Sequence, residues 1–457
     1  WICHRNIFCF ASRTPLSPGR GAGGEVSYRT EIIALAHSPH IEQTVEHLFR
    51  HEWGKLVSVL TKLFGPQNLQ LAEDVVQDTL EKALHTWKIG GLPDNPSAWL
   101  FTAARNKAID VLRGQKRADA YAQHITPLLQ SEYSLVPTVH ETVQPGSIDD
   151  DQLRMMFVCC HPSLSAEAQV ALILKTLCGF SVTEIAKSFL TGYGTIEKRL
   201  YRARQSFRDN QVSFDLPPEN EIGNRLENVL TAIYLLFNEG YNSTQHEKLV
   251  REDLMQEAMR LCELICRSTL VEQAEARALL ALMNFIASRN ETRLDDAGNI
   301  LLLAQQDRGR WNKERIREGI RHLERSTESD RISRYHLEAM IAYEHAAAPT
   351  YEQTNWNSIL RYYDLLRAHY PSPVVELNRA IAIGEWYGPA EGIKAIESIP
   401  PSAPLLTYYL LPATLGEFWL KLQQKEKAIR YFNEAKSLTH SAAEKKLLQQ
   451  KIDSLQQ

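Results

Sequence analysis

Apolar residues recur every three or four positions along most of the chain, which is the spacing that buries one face of an α-helix. From residue 41 this spacing predicts one helix, or a kinked pair, that ends before Gly65 and Pro66. The next helical stretch, residues 69–85, is apolar on one face and polar on the other. We name the polar face the acidic ridge, and it consists of Asp74, Gln77, Asp78 and Glu81. Charged helical positions are usually no more than a solvated face, so the acidic ridge alone identifies no function.

The helix predicted after the glycines at 90–91 combines a clear start with a basic end. Asn95 suits the N-cap, and Pro96 suits the first helical position because its missing N–H costs nothing there. Arginines and lysines gather toward the C-terminus, where cations also complement the helix dipole. Basic residues interleaved with aromatic ones such as Trp99 are used to hold separated DNA strands, because phosphates need cations and unstacked bases need flat partners. At this point, the basic residues are explained equally well by the helix dipole and by DNA binding.

Residues 181–208 predict two helices joined by a tight turn. Ser181 and Glu184 form a capping box that fixes the start of the first helix, and Gly192 and Gly194 supply the backbone freedom that a turn needs. The second helix is expected from about Thr195. Its apolar stripe consists of Ile196, Leu200, Ala203 and Phe207, and its other surface is basic. This arrangement is typical of the helix-turn-helix, which places side chains in a DNA major groove, although a solvated helical hairpin is the alternative.

Composition limits the classes of function that remain. The chain has 457 residues, of which 23% are charged, and its formal net charge is -4. This length allows several domains with real cores, and the balance of residues excludes wholesale disorder. Because the net charge is nearly neutral, any binding of nucleic acid must come from local basic patches. No run of 18 apolar residues occurs, so we expect no spanning helix and no membrane partner.

The seven cysteines are odd in number and lack the spacing of a disulfide framework, which suits a reducing cytosol. Cys159, Cys160 and His161 invite a metal interpretation. However, adjacent cysteines rarely chelate one zinc, and no second pair with metal-binding spacing accompanies them. We therefore expect buried thiols at these positions, no metal, no cofactor and a cytoplasmic protein.

Three segments, taken in order, resemble regions 2 and 4 of the extracytoplasmic-function (ECF) sigma factors of the sigma-70 family. They are residues 72–84, 95–113 and 181–208. The resemblance implies an all-α fold with two small helical domains, a region 2 bundle and a region 4 helix-turn-helix, joined by a linker. It implies core RNA polymerase and promoter DNA as partners. It also implies no catalytic residues, because polymerase supplies the metal and the chemistry.

The resemblance assigns a role to each surface. The acidic ridge would dock on the clamp helices of polymerase. The candidates for binding the promoter minus-10 element are Trp99, Arg105, Asn106, Lys107, Arg113, Lys116 and Arg117. The candidates for binding the minus-35 element are Thr195, Lys198, Arg199, Arg202 and Arg204. The turn sequence LTGYGT departs from the family pattern. Because Tyr193 lies in this turn, the family pattern does not tell which bases the second helix recognises.

The C-terminal half forms an extension, and the sequence CCHP at 159–162 resembles a subgroup of the family that carries one. Polar residues of LFNEGY (236–241) and QDRGRW (306–311) either cap and bridge helices or line a ligand site. Further on, six residues fall at the spacing of a tetratricopeptide (TPR) repeat, namely Leu415, Gly416, Trp419, Ala428, Phe432 and Ala435. Stacked repeats of this kind leave a concave surface that suits a protein partner or another domain.

These patterns divide the chain into six predicted parts. They are a disordered leader (1–38), a region 2-like domain (39–117), a flexible linker (118–147), a region 4-like domain (148–212), a helical extension (213–330) and TPR-like repeats (331–457). We predict a sigma factor whose C-terminal half regulates it, either by masking its binding surfaces or by holding polymerase. The alternative is a TPR-type scaffold or adaptor with a DNA-binding helix-turn-helix module. An enzyme is disfavoured because the chain lacks GxSxG, HExxH, a P-loop and a dinucleotide-binding glycine pattern.

Overall fold

The structure is a computed structural model that describes residues 39–118, 148–189, 191–241, 251–269, 271–329, 331–400, 405, 407–439 and 441–456. The predicted leader and linker therefore lie outside the described residues. Within them the structure is helical, and the only strand-like pairing is an isolated antiparallel bridge between Leu294 and Ile300. This confirms the predicted all-α fold. The described residues form two compact units, one that ends at Leu236 and one that begins at Phe237.

The first unit contains two groups of helices and the start of a connecting helix. The N-terminal bundle is made of α1 (Pro39–Phe64), a 3-10 turn (Pro66–Asn68), α2 (Leu69–Gly90) and α3 (Pro96–Ala118). The hairpin module is made of α4 (Ile148–Cys159), α5 (Ala166–Thr176), α6 (Val182–Ser188) and α7 (Tyr193–Asp209). Helix α8 (Glu219–Tyr241) begins in the first unit and ends in the second.

Most boundaries of the N-terminal bundle follow the sequence signals, although α2 continues five residues beyond the predicted residue 85, to Gly90. Gly65 ends α1 at a positive φ of 83°, a conformation that glycine adopts without a Cβ penalty. Asn95 caps α3 by accepting a hydrogen bond from the backbone N–H of Ala98 at 3.0 Å. The apolar faces of α1, α2 and α3 pack together, with Val76 and Leu100 fully buried between them. The bundle thus turns the polar face of α2 toward solvent.

The N-terminal bundle and the hairpin module also pack against each other, with α1 lying against α4 and α5. The backbones approach so closely that a Cβ on Gly54 would lie 2.2 Å from the carbonyl oxygen of Leu177. The sequence predicts two domains separated by a flexible linker, and both groups of helices are present. In this structure they share one interface instead, and α1 is consequently buried on every side from Leu56 to Thr61.

The second unit is a chain of helices in which neighbours along the sequence pack side by side. Its first half contains α9 (Glu252–Arg267), α10 (Ala274–Ala287), α11 (Lys313–Ser326) and α12 (Arg334–Ala347). Its second half contains α13 (Trp356–His369), α14 (Pro373–Tyr387), α15 (Pro389–Glu397), α16 (Leu410–Lys421), α17 (Lys425–Leu438) and α18 (Ala442–Gln456). Nowhere in the described ranges is there a helix long and apolar enough to cross a bilayer.

The predicted repeat positions near the end of the chain lie in one core. Phe432 and Ala435 of α17 are buried against α16, where the missing side chain of Gly416 leaves room for the Phe432 ring. Helices α16 and α17 therefore form a hairpin, as the repeat pattern predicts. Assignment of this hairpin to the TPR class stays a prediction, and so do the predicted domain boundaries.

Candidate nucleic-acid interface

The acidic ridge lies on the exposed side of α2. Burial of Ala72, Val76 and Ala83 fixes the rotation of the helix, and all four ridge residues are consequently exposed. The Asp74 carboxylate accepts a hydrogen bond from Gln70 Nε2 at 2.8 Å. Asp78 Oδ2 lies 2.7 Å from Lys107 Nζ, and both side chains are about half exposed. An exposed pair of this kind contributes little stability, so both groups stay available to a partner.

The minus-10 candidates lie along α3 and differ in exposure. Trp99 is half-buried, with its ring edge-on to that of Trp87 at a centroid distance of 5.5 Å. Arg105 is also half-buried, and its Nε has no hydrogen-bond partner. Asn106, Lys107 and Arg113 are exposed, whereas the side chains of Lys116 and Arg117 lie outside the described residues. The helix thus presents a cationic surface next to a partly covered indole.

The predicted capping box is confirmed. Glu184 Oε2 accepts a hydrogen bond from the Ser181 N–H at 2.7 Å, and Ser181 Oγ accepts one from the Glu184 N–H at 3.2 Å. Gly192 has the extended φ and ψ of an N-cap (-78° and 150°), and α7 begins at Tyr193, two residues before the predicted start. Glycine caps a helix nearly as well as serine, so the early start needs no side-chain cap.

Helix α7 has one buried face and one basic face, as predicted. The buried residues are those of the predicted apolar stripe, Ile196, Leu200, Ala203 and Phe207. Lys198 and Arg202 are exposed on the other side, while Thr195 and Arg199 are half-buried. The Arg199 guanidinium carbon lies 5.4 Å from the centre of the Phe189 ring. This cation–π contact holds the Arg199 side chain against the residue that follows α6. The basic face is therefore formed and accessible.

Arg204 differs from the other minus-35 candidates because it points into the interface with the N-terminal bundle. Its Nη2 lies 2.7 Å from Glu73 Oε2, with 17% of the Arg204 side chain and 5% of the Glu73 side chain exposed. Sequence reasoning missed Glu73, which is the buried neighbour of the acidic ridge. The two residues are 131 positions apart, and no local pattern relates them.

Further ion pairs join the N-terminal bundle to the hairpin module. Lys62 Nζ lies 2.8 Å from an oxygen of Asp151, whose side chain is fully buried. Arg50 Nη2 lies 3.8 Å from Glu184 Oε1, and both side chains are buried. Buried pairs contribute uncertain net stability, but removal of one partner is costly because the other charge stays desolvated. These pairs therefore favour one specific packing of the two groups.

The cysteines before the helix-turn-helix are buried thiols, as predicted. Burial raises the pKa of Cys159 to about 12, although a hydrogen bond with Thr176 acts in the opposite direction. Burial also raises the pKa of Cys160 well above its usual value. Both thiols are therefore protonated at neutral pH and unreactive.

This geometry defines a class of protein: an all-helical protein with a helix-turn-helix of the DNA-binding type, whose second helix has an exposed basic face, and with a separate exposed acidic ridge. Comparisons with known proteins agree. Residues 48–118 match the family model for sigma-70 region 2, and residues 154–207 match the model for sigma-70 region 4. Residues 225–327 match a family of unknown function, DUF6596.

The curated relatives match either most of the chain or about a third of it. The chain is 34% identical over 389 residues to an uncharacterized protein, R00370, of Rhizobium meliloti, which covers 85% of this chain and 91% of that protein. It is 30% identical over 138 residues to the ECF RNA polymerase sigma factor SigL of Mycobacterium tuberculosis, covering 30% of this chain and 72% of SigL. It is 27% identical over 165 residues to the ECF sigma factor SigE of Mycolicibacterium smegmatis, covering 36% of this chain and 60% of SigE. No solved structure matches the chain.

The chain belongs to the ECF sigma factors of the sigma-70 family, and it is an RNA polymerase sigma factor with a C-terminal helical extension. Membership implies core RNA polymerase and promoter DNA as partners. Sigma factors are transcription initiation factors and not enzymes. The scaffold alternative is not favoured.

Proposed function

We propose that this sigma factor works in the cytoplasm through three surfaces, with the acidic ridge on polymerase, α3 on the minus-10 element and α7 on the minus-35 element. The observation that carries the proposal is the basic face of α7, where Lys198 and Arg202 are exposed opposite a completely buried apolar stripe. Side chains three, four and seven residues after Thr195 lie on one face of a helix and reach neighbouring base pairs of a major groove.

Binding of duplex DNA to the sigma factor with core polymerase tests this assignment. The promoter DNA carries both elements, and matched DNAs have either element scrambled. We expect Lys198→Ala and Arg202→Ala to weaken binding only when the minus-35 element is intact. Equal loss on scrambled DNA would indicate non-specific phosphate binding and would contradict base reading by α7.

The minus-10 assignment requires a separate mechanism. Helix α3 carries an aromatic residue, Trp99, which suits stacking with an unpaired base better than reading base edges in a groove. We propose that Trp99 supports an unstacked base while Arg105 and Asn106 contact it and Lys107 and Arg113 contact phosphates. Unstacking costs a few kcal/mol per base, which contacts with the extruded base must offset. The fluorescence of 2-aminopurine at the minus-10 element measures this step directly, and Trp99→Ala should abolish the signal without reducing closed-complex binding.

We also propose that the packing of the N-terminal bundle on the hairpin module is a resting, closed arrangement. The minus-10 and minus-35 elements are about 25 base pairs apart, which is roughly 85 Å of duplex at about 3.4 Å per pair. A compact unit of the size described has a diameter of roughly 40 Å. The closed unit therefore cannot engage both elements at once, and Arg204 must leave Glu73 before α7 can use it on DNA.

The C-terminal half is proposed to regulate this opening. Helix α8 is bonded to the hairpin module, since Arg225 Nη1 donates to the Phe157 carbonyl at 3.1 Å and Asn228 Nδ2 donates to Gln169 Oε1 at 2.7 Å. A truncation that tests the extension should therefore end after Tyr241, so that these bonds are kept. Higher transcription from the truncated protein would indicate masking, whereas lost transcription would indicate that the extension holds polymerase. A protein partner of the predicted repeats is the remaining part of the proposal.

A further inference from the structure

Helix α8 is shared by the two units, because it begins in the first and continues without a break into the second. Most of its length lies in the segment that matches the family of unknown function, residues 225–327. Rigid helices with bonded ends are among the elements that carry coupling between distant parts of a protein. The contacts at the two ends of α8 therefore decide whether it can transmit a change.

The C-terminal end of α8 is anchored in the second unit through its last two carbonyl groups. Arg293 Nη1 donates a hydrogen bond to the Tyr241 carbonyl, and the Arg251 N–H donates one to the Gly240 carbonyl at 2.7 Å. The last four carbonyls of a helix have no partner within the helix, so these bonds satisfy two of them. The positive charge of Arg293 also complements the negative end of the helix dipole.

Packing reinforces this anchor. The Arg293 guanidinium carbon lies 3.6 Å from the centre of the Tyr241 ring, which is a close cation–π contact. Gly240 meets the start of α9 so closely that a Cβ there would lie 2.7 Å from the backbone nitrogen of Met255. Arg293 is buried, so salt and water screen its contact with the helix end only weakly. The last turn of α8 is thus fixed to residues of the second unit.

In the first unit, α8 is bonded to α4 and α5, the two helices that pack against α1. Arg225 Nη1 donates to the Phe157 carbonyl in the last turn of α4, so an arginine again binds the C-terminal end of a helix. In the first turn of the same helix, Asp151 pairs with Lys62 of α1. Helix α4 therefore joins α8 to the closed interface between the N-terminal bundle and the hairpin module.

We propose that these bonds form a relay through which the C-terminal extension stabilises the closed arrangement. The relay runs from Arg293 to α8, from Arg225 to α4, and from Asp151 to α1. It rests on the proposed closed arrangement and adds the direction of control, because an anchored α8 holds α4 where Asp151 meets Lys62. A change in the second unit that withdraws Arg293 from Tyr241 frays the end of α8, loosens its hold on α4 and favours opening.

Hydrogen exchange of the full-length protein, read by mass spectrometry without DNA or polymerase, tests the relay. Arg293→Gln should speed exchange in the last turn of α8 about tenfold, as the loss of a charged hydrogen bond predicts. It should also speed exchange in α4 at least about twofold, the lower end of coupling along such networks. The matched control is Arg317→Gln on α11, which removes the same charge from an exposed position and should change neither segment.

A second variant shows whether α8 carries the effect. When Arg225→Gln and Asn228→Ala are combined, Arg293→Gln should still speed exchange at the end of α8 but should no longer affect α4. An effect confined to the second unit, or an equal effect on α4 with and without Arg225 and Asn228, would overturn the relay. Faster exchange that extends to α17 would indicate general loosening and would overturn it as well. Scattering from Glu73→Gln tests the closed arrangement itself, so failure of the relay and failure of the proposed function are distinguishable.

Discussion

The ion pair between Arg204 and Glu73 gives the sharpest prediction about the closed arrangement. Replacing Glu73 with glutamine leaves Arg204 in the interface without its carboxylate. Removal of one partner of a buried pair costs about 3–5 kcal/mol. Because 17% of the Arg204 side chain is exposed and the chain can turn outward to water, we expect the lower end, about 3 kcal/mol. This shifts the equilibrium between closed and open forms by roughly a hundredfold.

Small-angle scattering and core-dependent DNA binding together measure this shift. Glu73→Gln should increase the radius of gyration at unchanged helical content. It should also increase promoter affinity, because separating the N-terminal bundle from the hairpin module then costs less free energy. The charge-swapped variant, Glu73→Arg with Arg204→Glu, should regain compactness because the pair is restored with reversed sign. Glu197→Gln is the matched control, because it neutralises an exposed carboxylate on α7. Equal dimensions for Glu73→Gln and Glu197→Gln would refute the argument.

Three further predictions concern other parts of the molecule. Lys107→Ala and Arg113→Ala should each reduce the slope of log affinity against log salt by about 0.7 to 0.9, as measured by anisotropy over a salt series, and unchanged slopes would mean that neither residue contacts phosphate. Phe207→Ala, in the buried stripe of α7, should lower the free energy of unfolding by about 3–5 kcal/mol in urea titrations, whereas a loss below about 1 kcal/mol would contradict its burial. The folded-state pKa of His345 lies below the usual 6.5, so stability should fall as the pH falls below about 6.5, and His345→Gln should flatten that dependence; an unchanged pH profile would contradict a neutral buried imidazole.

Much of the first unit could be predicted because its signals are local. The capping box of Ser181 and Glu184 involves residues three positions apart, and the stripe from Ile196 to Phe207 follows from the helical period. The rotation of α2, which exposes Asp74 and Asp78, follows from its alanines and valines in the same way. Local geometry of this kind is fixed by the order of residues alone.

The contacts that hold the closed unit together could not be predicted, because they join distant parts of the chain. In the sequence, Glu73 is one more charged residue beside the acidic ridge. No local pattern indicates that Glu73 pairs with Arg204. Glycine is a poor helix former, so Gly54 is expected only to weaken α1. In the structure its missing side chain permits the close approach of Leu177. In the second unit, LFNEGY and QDRGRW stand out as motifs, but only the fold brings Tyr241, Arg289 and Arg308 into one cluster.

Run-off transcription by purified core polymerase is the most direct test of the central claim that this chain selects promoters. With the chain present, we expect a transcript from one defined start site, and the transcript should disappear when Asp74→Ala and Asp78→Ala are combined or when Lys198→Ala and Arg202→Ala are combined. Transcription that is absent with the wild-type chain on every genomic fragment of its source, or that persists unchanged with both double variants, would contradict the account.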